Sequence, residues 1–145
     1  MPLGVCLALA SALAPGPALP VFVPAERFTL AWTHSIEKIR WEEDYAVVAP
    51  ARTGSPPQLL AVGARVRGSG AGMEPPPDAV LRNGWYEYRP TTPPLTELRL
   101  TRSAYTADYE WCTAGRCQPM GALLPADGDV TLLWPCTGPQ AHRRR

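Results

Sequence analysis

Charge is missing from the start of this 145-residue chain. The first 25 residues contain no charged side chain, so all 14 basic and all 13 acidic residues follow them. The longest apolar run, residues 3–14, is too short to cross a bilayer comfortably but suits the core of an export signal. Five prolines, at positions 2, 15, 17, 20 and 24, surround it and disfavour the alternative of a buried helix. We therefore expect residues 1–25 to be a signal peptide or membrane anchor with a proline-rich linker.

A strong net charge is also missing. The formal net charge is +1, and three of the 14 basic residues are Arg143, Arg144 and Arg145, so the rest of the chain has 11 basic and 13 acidic residues, a net charge of −2. The aromatic residues lie in strand-like segments and are not interleaved with basic ones, which argues against a nucleic-acid-binding protein. We expect residues 137–145 to be a solvated basic tail.

Cysteine is limited to four positions. Cys112 and Cys117 are separated by four residues that include a glycine, a spacing typical of a hairpin loop. In an oxidising compartment we expect them to form a disulfide, and free thiols are the alternative. A zinc site would need a second pair of ligands, which Cys136 alone does not supply. On this interpretation Cys136 is an unpaired thiol and Cys6 belongs to the N-terminal segment.

Short alternating runs predict strands, and no convincing amphipathic helix is present. Phe28, Leu30, Trp32 and His34 would share one face of a strand. Eighteen prolines and twelve glycines interrupt the chain between such runs. The pattern predicts an all-β fold, a single antiparallel β-sandwich or open barrel of about seven strands at 26–136, preceded by the apolar leader. The other strands are predicted at residues 44–48, 59–67, 85–89, 96–102, 107–112 and 130–134.

Histidine is scarce, because only His34 and His142 are present. His34 opens the one stretch that concentrates ionisable groups, residues 34–43. No other ten residues of the chain combine a histidine, a hydroxyl and three carboxylates. We therefore take this stretch as the candidate polar cluster, with these members: His34, Ser35, Glu37, Glu42 and Glu43.

The composition of this polar cluster is compatible with several chemistries. Ser35 and His34 are neighbours on a strand and would point to opposite faces, which argues against a nucleophile and its base. A metal site with one imidazole and one or two carboxylates would be incomplete. We expect a structural role, in which His34 is hydrogen-bonded to a carboxylate of the returning strand, or a contact surface or ligand pocket beside Trp32 or Trp41. No catalytic residue, metal ligand or cofactor is assigned.

A glycine-rich segment follows the predicted strand at 59–67. Its glycines are Gly68, Gly70 and Gly72. The segment lacks the Lys-Ser/Thr of a phosphate-binding loop, and three prolines at 75–77 prevent a helix from starting there. We expect a bulge or a tight crossing where only glycine fits.

These motifs together resemble the bacterial domain-of-unknown-function family numbered 1850. The resemblance extends from about Phe28 to Pro125, with Ile39-Arg40 standing where a proline is expected in the family pattern. It rests on His34-Ser35-Ile36-Glu37 at the end of a strand, on the following Glu42-Glu43 pair and on the later Gly70-Ala71-Gly72-Met73 loop.

The resemblance implies a cellular setting and no established activity. Members look like small exported or membrane-anchored proteins associated with tripartite ATP-independent periplasmic transporters of the TAXI class. A periplasmic protein, or one anchored in the membrane and facing the periplasm, is therefore expected, and the Cys112–Cys117 pair would be a feature of some members only.

The sequence thus predicts a non-enzymatic extracytoplasmic accessory or binding protein of a solute-uptake transporter. Its partner would be a transporter receptor or membrane subunit, and the N-terminal segment would provide any membrane contact. The alternative from another class is a small metal-dependent or carboxylate-based hydrolase that uses His34 with Glu37 or Glu43.

Overall fold

A computed structural model describes residues 2–12, 20–33, 38–67 and 77–138. Within this part of the chain, strands predominate and only two short 3₁₀ helices occur, at Ala10–Ala12 and Met120–Ala122. The all-β class predicted from the sequence is confirmed. The strands are β1 (Leu3–Leu9), β2 (Val21–Pro24), β3 (Arg27–Thr33), β4 (Arg40–Val48), β5 (Gln58–Arg67), β6 (Val80–Arg82), β7 (Trp85–Tyr88), β8 (Leu98–Thr101), β9 (Glu110–Thr113), β10 (Arg116–Pro119) and β11 (Val130–Thr137).

The strands form two antiparallel sheets, one with the order β2-β1-β11-β8 and one with the order β10-β9-β3-β4-β5-β7-β6. Neither sheet closes into a barrel, because each ends in two edge strands. The seven predicted strands correspond to β3, β4, β5, β7, β8, β9 and β11. Short β6 and β10 were missed because each lies directly beyond a tight two-residue turn from its hairpin partner.

The N-terminal leader expected from the sequence is not shown. Leu3–Leu9 is instead a strand of the four-stranded sheet, paired with β11 on one side and β2 on the other. Its near-continuous apolar sequence suits a strand that is buried on both faces, and five consecutive residues, 4–8, are buried. No helix among the described residues is both long and apolar enough to cross a membrane.

A disulfide joins Cys6 of β1 to Cys136 of β11. Cys6 lies opposite Trp134 and Gly4 lies opposite Cys136, so the two cysteines are diagonal neighbours with Cα atoms 6.0 Å apart. The expectation that Cys136 is an unpaired thiol is therefore wrong. It failed because Cys6 was assigned to a leader, whereas antiparallel pairing brings both ends of the chain together.

The hydrophobic core lies between the two sheets. Leu7 and Leu133 enter it from the four-stranded sheet. From the seven-stranded sheet, the ring of Phe28 stacks on Trp111 at 4.6 Å and on Tyr45 at 5.4 Å between ring centroids. Each large apolar side chain removed from water contributes about 1.5–3 kcal/mol to stability, so this shared core is what holds the sheets together.

A buried arginine links the sheets at a second place. Arg102, just after β8, is 2% exposed, and its guanidinium donates to both carboxylate oxygens of Asp108 at 2.9 Å and to Thr131 Oγ1 at 3.1 Å. Asp108 also accepts the backbone N–H groups of Tyr109 and Gly121. The pair thereby fixes the segment that leads into β9.

Candidate functional site

The predicted site residues fall into two groups. Within the part of the chain that the structure describes, Glu42 and Glu43 lie on β4. The other members lie outside the described residues, and they are His34, Ser35, Glu37, Gly68, Gly70 and Gly72.

The strands that lead into residues 34–37 and 68–76 end at the same side of the seven-stranded sheet. Thr33, the last residue of β3, is paired with Arg40, and Trp41 beside it is paired with Val66, the penultimate residue of β5. The strand register therefore places the end of β3, which precedes residues 34–37, and the end of β5, which precedes the glycine-rich segment, at one end of the sheet. Glu42 and Glu43 lie next to these strand ends.

The seven-stranded sheet has an inner face, which meets the core, and an outer face on the opposite side. Successive residues of a strand point to opposite faces, so Glu42 is on the outer face and Glu43 on the inner face. The contacts of the two residues agree with this separation. The carboxylate pair of the sequence motif is thus divided between two environments.

On the outer face, Glu42 is the centre of a row of ion pairs that we call the ion-pair ladder. One of its oxygens accepts from Arg40 Nε at 2.8 Å and the other from Arg65 Nε at 2.7 Å. Arg40 also donates twice to Glu110, at 2.9 and 3.2 Å, and Arg65 donates twice to Asp44, at 2.9 and 3.0 Å. Both oxygens of Glu42 are therefore occupied by charge-assisted bonds, which gives this residue a structural role.

The ladder shifts the ionisation of its members. Burial would raise the pKa of Asp44, but hydrogen bonds from Arg65 and from Thr29 Oγ1, the latter at 2.6 Å, outweigh burial and hold that pKa below its usual range. The hydrogen bond to Glu110 raises the pKa of Arg40, and the hydrogen bond to Asp44 raises that of Arg65. These three groups therefore stay charged at neutral pH and do not act as proton donors or acceptors near pH 7.

A groove of about 400 Å³ lies between the ladder and the turn that joins β9 to β10. The predicted Cys112–Cys117 disulfide forms one wall, with the two residues directly opposite each other across the hairpin. A carboxylate oxygen of Glu110 and the Sγ atoms of Cys112 and Cys117 all lie within 4.8 Å of one another. Because both sulfurs are in the disulfide, neither is a thiolate that could bind a metal ion.

On the inner face, aromatic rings run across the sheet at the end where Glu43 lies. The Trp32 ring is nearly parallel to that of Trp41, at 8° and 6.1 Å, and is inclined to that of Tyr109, at 51° and 5.9 Å. Trp41 pairs with Val66, and Val66 pairs with Tyr86, so the row continues onto β7. These rings are half-buried, unlike Phe28 and Leu30 farther along β3, which are 3% and 2% exposed.

Glu43 lies one row closer to the core, between Leu30 and Ala64. Its Oε1 accepts the hydroxyl of Tyr45 at 2.6 Å. Burial is the main cause that raises the pKa of Tyr45, Tyr88 and Tyr109. The next cause is the hydrogen bond to Glu43 for Tyr45 and the negative charge of Glu43 for Tyr88 and Tyr109. The carboxylate therefore lies among three tyrosines. We call the following residues the Glu43 cluster: Glu43, Trp32, Trp41, Tyr45, Tyr88 and Tyr109.

One polar atom of this cluster is buried without a partner. Among the described residues, the indole Nε1–H of Trp41 donates to no acceptor, although the atom is shielded from solvent. Buried donors are nearly always hydrogen-bonded in folded proteins. The Glu43 cluster therefore combines an unused donor, a carboxylate and several aromatic faces.

Sequence reasoning named Glu43, Trp32 and Trp41 but missed the tyrosines of the cluster. Tyr45 had a signal, because residues 41, 43 and 45 alternate along one strand and must share a face. Tyr88 and Tyr109 had none, because only the pairing of β5 with β7 and of β3 with β9 brings them near Glu43.

A family model described as "Domain of unknown function (DUF1850)" matches residues 28–120, more than half of the chain. The chain belongs to this family. The DUF1850 match covers β3 to β10 and therefore contains the ion-pair ladder and the Glu43 cluster, whereas β1, β2 and β11 lie outside it. No curated protein and no solved structure was found to match the chain.

Proposed function

We propose that this DUF1850 protein is a non-enzymatic accessory or binding protein of a solute-uptake transporter of the tripartite ATP-independent periplasmic type. It acts outside the cytoplasm and uses the Glu43 cluster to contact its ligand or partner. The observation that carries this proposal is the position of a carboxylate, held by a tyrosine hydroxyl at 2.6 Å, on a half-buried aromatic face. Aromatic surfaces that also carry a few fixed polar groups are typical of recognition sites.

The cysteines support the extracytoplasmic location. All four are paired, in Cys6–Cys136 and Cys112–Cys117. Disulfides of this kind persist in oxidising compartments and are rare where thiol reductants are abundant. The transporter setting is part of the proposal and rests on the association that the family resemblance implies.

The arrangement of the carboxylates favours binding over hydrolysis. Paired acid and base groups act on one substrate only if they face the same cavity. Glu42 and Glu43 face opposite sides of the sheet, and both oxygens of Glu42 are engaged by arginines. The hydrolase alternative, which uses His34 with Glu37 or Glu43, would therefore gain no second carboxylate from Glu42.

Site-specific photo-crosslinking tests the proposal. A photoreactive phenylalanine analogue placed at Tyr86, which continues the aromatic row on β7 beyond Val66, should crosslink to a receptor or membrane subunit of a co-expressed tripartite transporter. The same analogue at Tyr105, which is 96% exposed in a distant turn, is the control and should not. Equal crosslinking from both positions, or none from Tyr86, would contradict the proposal.

A measurement of bound metal distinguishes the hydrolase alternative from the proposed binding function. A metal-dependent hydrolase of the predicted kind would bind metal in stoichiometric amounts and lose it on His34→Ala substitution. If the purified protein carries no such metal and Tyr86 still crosslinks to the transporter, the binding function stands.

A further inference from the structure

We propose that the Glu43 cluster recognises an organic cation, a compound with an ammonium group, and this inference rests on the binding role proposed above. It assigns a chemical class to the ligand from the charge and the aromatic rings of the site.

The aromatic rings provide the first part of the argument. Trp32 and Trp41 present nearly parallel indoles, and Tyr109 stands inclined to Trp32 as an adjoining wall. The face of an aromatic ring is electronegative and attracts cations, most strongly in tryptophan. Half-buried rings set at an angle to each other surround an alkylated ammonium group better than a flat surface does.

The carboxylate of Glu43 provides the negative charge that would attract an organic cation. Oε1 of Glu43 accepts the Tyr45 hydroxyl, which fixes the group without neutralising it. Among the described residues, no arginine or lysine forms an ion pair with Glu43. The arginines closest in sequence and register, Arg40 and Arg65, are engaged on the opposite face by other carboxylates.

The carboxylates on the two faces of the seven-stranded sheet differ in their contacts with arginine. On the outer face, three carboxylates share two guanidinium groups, and each of the three accepts charge-assisted hydrogen bonds at 2.7 to 3.2 Å. On the inner face, a negative group lies in a less solvated, aromatic surrounding, where attraction to an added cation is stronger than at an open surface. An anionic ligand would instead meet like charge at the same place.

Trp41 narrows the chemical class of the ligand further. Its buried indole N–H has no acceptor among the described residues, and a ligand that carries an oxygen near its ammonium group would supply one. Choline has both features and is therefore the probe of choice.

The test compares choline with 3,3-dimethylbutan-1-ol, which has the same shape but carries no charge. Titrations of the full chain would be followed by tryptophan fluorescence, because two indoles line the site, and by calorimetry. We expect saturable binding of choline and binding of the neutral alcohol that is at least about tenfold weaker, a difference of about 1.4 kcal/mol.

Matched variants locate the binding. Glu43→Gln keeps an acceptor for Tyr45 but removes the charge, and it should weaken choline binding about tenfold or more. Glu87→Gln is the control, because Glu87 lies on the outer face, opposite Arg65 in register, and pairs with Arg82 at 3.5 Å. Circular dichroism verifies that both variants are folded.

Three outcomes would overturn the cation assignment: equal binding of the neutral alcohol, no effect of Glu43→Gln, or tighter binding of an anionic probe such as glutarate. None of them removes the proposed function if crosslinking from Tyr86 to the transporter persists. If choline fails to bind and that crosslink is also absent, both proposals fail.

Discussion

Glu42 and Glu43 are adjacent in sequence and lie on opposite faces of the seven-stranded sheet, one between two guanidinium groups and the other hydrogen-bonded to Tyr45. This separation follows from the two-residue repeat of a strand. It gives Glu42 a structural role and leaves Glu43 available for the recognition role that we propose.

The two glutamates should therefore respond differently to the same substitution. Glu42→Gln removes the charge that both arginines contact in a half-buried setting, and we expect a loss of about 1–2 kcal/mol in the free energy of unfolding. Glu43→Gln keeps an oxygen acceptor for the Tyr45 hydroxyl, so its loss should be about 0.5 kcal/mol. Urea unfolding of the two variants measures the difference, and equal losses would contradict the division of roles.

The sequence predicted the sheet-forming segments well where apolar and polar residues alternate. Phe28, Leu30 and Trp32 share the inner face as expected, and the Cys112–Cys117 hairpin is present. It could not predict β1 as a strand, because a short continuous apolar run has the same composition in an export signal and in a strand that is buried on both faces.

The candidate site was only partly predictable, because some of its members are close in sequence and others come together only in the fold. The sequence located the concentration of charge around Glu42 and Glu43, since local spacing is visible in one chain. Arg65, Glu110, Tyr88 and Tyr109 join these residues through cross-strand register, which depends on long-range pairing and leaves no local pattern. The prediction that His34 bonds a carboxylate of the returning strand stays a prediction, because residues 34–37 lie outside the described part.

The disulfides should differ in their contributions to stability. Cys6–Cys136 closes a loop with a sequence separation of 130 residues, and Cys112–Cys117 one of 5. In the chain-entropy account, the longer loop gives about 5 kcal/mol and the shorter one about 2 kcal/mol. Chemical denaturation of C6A/C136A and C112A/C117A, each compared with the unaltered protein, tests this. A larger loss for the hairpin variant would show that constraint of the unfolded chain is not the main contribution.

Acid should destabilise the protein through Asp44 and Asp108. Burial would raise the pKa of Asp108, but Arg102 outweighs it and holds that pKa below its usual range, as Arg65 and Thr29 do for Asp44. Because each folded pKa lies below the unfolded value of about 3.9, their contribution is complete above that pH and is lost as pH falls through the folded pKa.

Removal of these two carboxylates should make the stability of the protein depend less on pH in the acid range. The variant D44N/D108N should be less stable than the unaltered protein at pH 7 and should lose less further stability below about pH 4. Thermal unfolding between pH 7 and pH 2 measures both slopes. Asp78→Asn, which removes an exposed carboxylate from a turn, is the control for a change in net charge. Parallel slopes for D44N/D108N and the unaltered protein would exclude these two groups as the source of acid sensitivity.

Arg102 should be intolerant even of lysine. It is 2% exposed and donates to both oxygens of Asp108 and to Thr131, a set of directions that a single ammonium group cannot reproduce. We expect Arg102→Lys to lower the free energy of unfolding by about 1–3 kcal/mol, because buried acceptors lose their partners. Arg99→Lys is the matched control, since Arg99 is 61% exposed in its side chain and lies 3.8 Å from Glu97, and it should change stability by less than about 0.5 kcal/mol. Hydrogen exchange of the Tyr109 and Gly121 amides adds a local readout, because both donate to Asp108 and should exchange faster only in Arg102→Lys. If both lysine variants unfold at the same denaturant concentration as the unaltered protein, the Arg102–Asp108 pair does not hold the two sheets together.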